Sequence, residues 1–142
     1  MGNRQSSVKK ANFEDIQFLL KTNLNHSLLI NTLKTNEQEC LIKGTVNINK
    51  EEEIINANLN KYNLKIIIYD KNSSQEHLYK KYHQLINLGF KDVYVYPGGL
   101  FEWLCLQDIY GNESFPTTKE ELDILKYKPK SLLTNNYLCN ID

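Results

Sequence analysis

The sequence predicts an α/β fold of three layers, with helices on both faces of a largely parallel central sheet, and three observations carry that prediction. Ile66-Ile67-Ile68-Tyr69 puts β-branched residues on both alternating faces, as a strand covered on each side requires. A helix-patterned segment follows, with Leu78, Tyr82, Leu85 and Ile86 on one face and Gly89 at its end. Val93-Tyr94-Val95-Tyr96 then supplies another strand, so the connection reads as a right-handed crossover between parallel neighbours.

The elements follow in order. Residues 1–11 read as a polar, flexible leader. Asn12 can cap a helix running to about Lys21, because Phe13, Ile16, Leu19 and Leu20 recur at helical spacing. Residues 27–32 form a short apolar run and Val46-Asn47-Ile48 a second, and both read as strands. Residues 51–59 are helix-like, with three glutamates in the first turn where the helix dipole favours them. Ile66 to Tyr69 is the central strand, and Ser73 with Glu76 forms a capping box for the helix after it. Pro97-Gly98-Gly99 ends the strand at Val93 to Tyr96, and residues 100–107 begin another helix. Thr117 or Thr118 with Glu120 or Glu121 can cap a last short helix before Pro129. The domain therefore spans residues 12–128, and residues 129–142 form a tail.

With 142 residues, 41% of them hydrophobic, the chain is long enough for one ordinary core and short for two. Lysine plus arginine and aspartate plus glutamate both number 17, so the net charge is zero and the field expected of a nucleic-acid binder is missing. Cys40, Cys105 and Cys139 are odd in number and widely spaced, which fits neither a disulfide framework nor a zinc site, and points to a reducing, cytoplasmic setting. No stretch approaches the roughly 18 apolar residues of a membrane span. The opening Met1-Gly2-Asn3-Arg4-Gln5-Ser6 fits the N-myristoylation pattern at Gly2. One acyl chain holds a membrane only marginally, and Arg4, Lys9 and Lys10 are the candidates for a second, electrostatic signal at its cytoplasmic face.

The stretch Gly89-Phe90-Lys91-Asp92-Val93-Tyr94-Val95-Tyr96-Pro97-Gly98-Gly99-Leu100-Phe101-Glu102-Trp103 closely resembles the rhodanese family, in which a Gly-Phe, a strand, a Gly-Gly pair and a tryptophan recur in this order. Leu28-Leu29-Ile30-Asn31-Thr32, Glu37 and Leu41 to Ile48 look like the family's first conserved block, with Asn31 in place of its aspartate and without its arginine. The likeness covers roughly residues 13–107. It implies a rhodanese-like α/β/α fold, in which Gly98 and Gly99 make a tight strand-to-helix turn and Trp103 packs on the sheet.

In that family the central strand ends in a cysteine that opens a loop closed by arginine, and a persulfide or phospho-enzyme forms on the sulfur. Here Tyr69 is followed by Asp70, Lys71, Asn72, Ser73, Ser74, Gln75 and Glu76, so the cysteine position aligns with Asp70 or with Asn72, and Gln75 stands near the arginine. There is no cysteine between Cys40 and Cys105. A soft sulfur is needed to hold a persulfide, which a carboxylate or an amide does not replace. The loop is therefore expected to be a degenerate active-site loop with no catalytic residue, and the chain a protein-binding or scaffolding module without a cofactor, a metal or nucleic acid. Its oligomeric state and partner are open. Two fates are open for the loop: the Asp70 carboxylate folds into the nest of backbone N–H groups that would otherwise attract an anion, or the turn is simply solvated.

A second functional reading is a thiosulfate-type sulfurtransferase in which Cys40 or Cys105 is carried to the loop. Cys40, beside Glu37 and Glu39, and Cys105, on a helix, both read as unreactive thiols. His26, His77 and His83 lack metal-ligand spacing.

Overall fold

The computed structural model describes residues 7–22, 26–61 and 63–134. Gly2, Arg4, Cys139 and most of the expected tail lie outside them. Helix α1 (Phe13–Lys21) leads to strand β1 (Ser27–Asn31), helix α2 (Glu51–Ala57) to β2 (Lys65–Tyr69), helix α3 (Glu76–Asn87) to β3 (Asp92–Val95), and helix α4 (Gly99–Tyr110) follows. Short 3₁₀ turns occupy Thr35–Glu37 and Ile124–Tyr127. The three strands are parallel in the order β1-β2-β3, with Leu29 facing Ile67 across one ladder and Ile67 facing Tyr94 across the other. β2 is central, as its sequence predicts.

Alternation along the strands builds two cores. Leu29, Ile67 and Tyr69 point to the side of α1 and α4, where they meet Ile16, Leu19, Leu100 and Trp103. Ile30, Ile66, Ile68, Val93 and Val95 point the other way, onto Ile55, Leu78, Tyr82 and Leu85. The outcome is the expected three layers. Leu78, Tyr82 and Leu85 form the inner face of α3, whereas Ile86 lies at the margin of that face, 37% exposed.

Four local expectations are corrected. Val46-Asn47-Ile48 is not a strand: Thr45 makes a single parallel bridge to Leu29, Val46 donates to the Leu29 carbonyl at 2.8 Å, and the Asn47 side chain then turns the chain by accepting from the Asn49 amide at 2.8 Å. Ser73 and Glu76 do not form a capping box. The N-cap of α3 is Gln75, and Asn72 does the turning, its Oδ1 accepting from the Ser74 amide at 2.8 Å. Thr117 and Thr118 cap no helix, because both bond back to residues 39–42: Thr117 bridges Ile42, and the Thr118 hydroxyl accepts from the Leu41 amide at 3.0 Å. Residues 8–11, assigned to the leader, belong to the fold: Lys10 bridges Val95 on the outer side of β3, and Ala11 is buried.

Candidate functional site

A parallel sheet covered on both faces leaves its ligand crevice at the carboxyl ends of its strands. Here that edge carries Asn31 and Thr32 after β1, the loop 70–75 after β2 and Tyr96 after β3. Asp70 directly follows the central strand and is 2% exposed. Its Oδ2 accepts from the Thr32 hydroxyl at 2.6 Å and its Oδ1 from the Lys71 amide at 2.6 Å. The carboxylate thus turns toward β1 and takes one amide of its own loop. Asn72 is equally buried; it takes the Ser74 amide, and its Nδ2 donates to the Tyr127 carbonyl at 2.8 Å. Lys71 reaches back to Glu37 at 3.1 Å. Burial alone would raise the Glu37 carboxyl, but the Lys71 ammonium and the Lys34 amide outweigh it and hold the group below its ordinary 4.5. Ser73, Ser74 and Glu76 are exposed, and Gln75 is half-buried with its Nε2 turned to Asn72 Oδ1 at 3.5 Å.

The loop is clasped from α4 as well. The Leu100 amide donates to the Asp70 carbonyl at 3.0 Å and the Phe101 amide to the Lys71 carbonyl at 2.9 Å. Gly99 makes this approach feasible: its φ is +65°, and a Cβ there would lie 2.6 Å from the Asp70 carbonyl oxygen and 2.8 Å from Lys71 backbone atoms. At Gly98 a Cβ would instead meet the Glu102 side chain. That carboxylate accepts from the Tyr96 hydroxyl at 2.6 Å, and burial first, then Glu102, pushes the phenol far above its ordinary value. Trp103 is fully buried, edge-on to Tyr96 and Phe115, and its indole N–H donates to the Pro116 carbonyl at 3.1 Å.

Both described cysteines are covered, Cys40 fully and Cys105 in part. Cys40 is 2% exposed, under residues 117–121, with its sulfur 3.3 Å from the Lys119 carbonyl. Burial raises its pKa, and the nearby acid that adds to the rise is Glu121, where sequence proximity had pointed to Glu37 and Glu39. Cys105 is half-buried on α4, and burial together with Asp108 and Glu102 raises it too. His26, His77 and His83 are all exposed, and among the described residues no group of His, Cys, Asp or Glu is arranged to hold a metal ion. The braces that sequence reasoning missed are Thr32, Glu37 and the Tyr127 carbonyl. Thr32 carried a signal, as the first hydroxyl after a strand ending beside the loop, and Glu37 another, as the glutamate of the block that resembles the family, though neither was tied to the loop.

The sequence profile of the rhodanese-like domain matches residues 16–105. The chain belongs to the rhodanese-like domain family. Solved structures share its fold. A yeast protein tyrosine phosphatase of the rhodanese family aligns over 80% of this chain and 94% of its own, with 15% identity and a TM-score of 0.57. The Alr3790 protein of Anabaena aligns over 82% and 97%, with 17% identity and a TM-score of 0.56. Thiosulfate sulfurtransferase from Pseudomonas aeruginosa aligns over 69% of this chain and 19% of its own, with 16% identity and a TM-score of 0.54. No curated protein sequence matches the chain. In this rhodanese-like domain no described helix is long and apolar enough to cross a membrane.

Proposed function

We propose that this rhodanese-like domain transfers neither sulfur nor phosphate and works as a protein-binding module, held at the cytoplasmic face of a membrane through Gly2. The observation that carries the reading is Asp70. It stands where the central strand ends, in a loop without a sulfur atom, and its carboxylate is already engaged by Thr32 and Lys71. A persulfide needs a thiolate at the mouth of the loop, and an acceptor-only carboxylate there also opposes an anionic substrate. Cys40 and Cys105 do not supply the thiolate readily, because both thiols are raised and Cys40 is covered. A net charge of zero turns the search for a partner from nucleic acid to protein.

The test is a thiosulfate:cyanide sulfurtransferase assay and a p-nitrophenyl phosphate assay on the reduced chain, with intact mass after exposure to thiosulfate. The expected outcome is no turnover and no added sulfur. Turnover that disappears in Cys40→Ser or Cys105→Ser would replace this reading with an enzyme using a displaced cysteine. The loop position is checked separately: Asp70→Cys with Gln75→Arg is expected to gain the mass of one sulfur from thiosulfate, and the same pair of changes at Asn72 and Gln75 is not.

A further inference from the structure

The opposite end of the molecule is different in kind. In a parallel sheet with crossover helices, each helix runs against the strands, so the helices finish where the strands begin. Three exposed large apolar side chains lie at those helix ends, Phe18 in the last turns of α1, Leu59 just after α2, and Leu88 at the close of α3, at 61%, 41% and 46% exposure, while Leu122, Leu125, Leu132 and Leu133 are exposed in the C-terminal segment. Among them stand the exposed lysines Lys21, Lys61, Lys65 and Lys91, which close α1, follow α2, and open or precede β2 and β3. Phe18 also flanks a 230 Å³ groove shared with Lys10, Asp15, Lys65 and Tyr94. The acids at this end are Asp92, half-buried at the start of β3, Asp15, exposed in the groove beside Phe18 and Lys65, and Glu113, which lines a hollow together with Lys21.

The leader arrives at the same end. Because Lys10 pairs with Val95 in parallel, the residues before it run toward the amino end of β3, where the Lys9 ammonium reaches the Lys91 carbonyl at 3.4 Å. Gly2 is five residues from Ser7, a reach of at most about 18 Å. Lys9, one of the residues expected to give an electrostatic signal, is exposed but engaged along the domain's own surface, over the Tyr94 ring as well as on Lys91. The lysines at the strand starts are better placed for that signal.

We propose that this end of the sheet is a docking face for an anionic lipid bilayer, with Lys21, Lys61, Lys65 and Lys91 over the headgroups and Phe18, Leu59 and Leu88 at the headgroup boundary. Basic side chains rimming scattered apolar ones suit such a surface, and they provide the second signal that a single acyl chain requires. The proposal rests on the membrane attachment argued above. It orients the domain, putting the Asp70 loop on the far side, facing away from the membrane.

Vesicle co-sedimentation of the full chain tests it, with phosphatidylcholine vesicles containing or lacking phosphatidylserine. The forms compared are the Gly2-acylated chain, verified by mass, its Gly2→Ala variant, and the acylated Lys61→Glu, Lys65→Glu, Lys91→Glu variant. The Gly2→Ala chain is expected to bind only phosphatidylserine vesicles, weakly and in a salt-sensitive way. The triple variant is expected to lose about 100-fold or more in partitioning, at roughly five-fold per basic side chain near the surface. A triple change to Gln, which avoids new repulsion inside the fold, should lose in the same direction. If Gly2 accepts no acyl group, the tether fails, and the face is still judged by whether the unacylated chain needs these lysines. Undiminished binding by both triple variants overturns the face and leaves the tether standing. Binding of soluble poly-glutamate as tight as vesicle binding, with Phe18→Ser without effect, would mark the face as an acidic-protein surface and overturn the membrane proposal.

Discussion

Gly99 is the residue whose replacement should say most about the loop. A methyl group there meets backbone at 2.6 Å and 2.8 Å, and φ is +65°, so neither neighbour nor chain can give way easily. Gly99→Ala is expected to lower unfolding free energy by about 3 kcal/mol, read by urea titration, from clash plus left-handed strain. Gly98→Ala meets a flexible side chain and should lose less than half as much. At Asp70, removal of a buried acceptor takes the partner of the Lys71 amide and leaves the Thr32 hydroxyl only the Tyr69 carbonyl at 3.4 Å, and Asp70→Ala should destabilise by roughly 1–3 kcal/mol; a double-mutant cycle with Thr32→Val checks that the two are coupled. Glu37 sets a pH dependence. Its folded pKa is lowered, so its pairing with Lys71 contributes stability above the unfolded value of 4.5, and that contribution is lost as pH falls through the folded value. Lys71→Met should therefore flatten the acid limb of the stability curve while leaving its neutral-to-alkaline shape unchanged. At this scale the Gly-Gly pair and Trp103 were legible because steric demands are local. Ser73 was misread because Asn72, one residue earlier, turns the chain through the Ser74 amide and holds a partner 55 residues away, which moves the N-cap of α3 to Gln75.

Helix α1 was readable as an element because cap and apolar stripe agree with the fold, and α3 through its apolar stripe alone. Asn12 accepts from the Glu14 and Asp15 amides while Asp15 bonds back to the Asn12 amide. The expected strand at Val46 and the expected helix at Thr117 failed for a shared reason: their true partners are distant, and no local period records them. Thr118 answers Leu41 across 77 residues. The segment 116–127 acts as a strap over Cys40, fastened at Leu41 and Lys43 and at Asn72. In a Cys139→Ser background, Cys105 should react with Ellman's reagent in the native state and Cys40 only as the strap opens. Asn72→Ala should accelerate Cys40 and leave Cys105 unchanged, and equal native rates for the two thiols would contradict the arrangement.

Across the whole molecule, strand and helix alternation made the three layers legible, whereas a net charge of zero concealed how that charge is distributed. Composition averages over an end bearing Lys61, Lys65 and Lys91 and a carboxyl edge where Lys34, Lys71, Lys80 and Lys81 stand among Glu37, Glu51, Glu52 and the buried Asp70. Topology separates them, because it sends the helix ends one way and the strand ends the other.

The strap also bears on where the folding unit stops. The family match ends at residue 105, yet Phe115 and Tyr127 lie in the same core as Trp103, and Ala11 joins it from before residue 16. A fragment cut to residues 16–105 would uncover Trp103 and Cys40 together and should show no cooperative thermal transition, whereas residues 7–134 should melt in one. The evolutionary boundary of this family member is thus narrower than its physical one, and the residues beyond the match serve as the wall of the core.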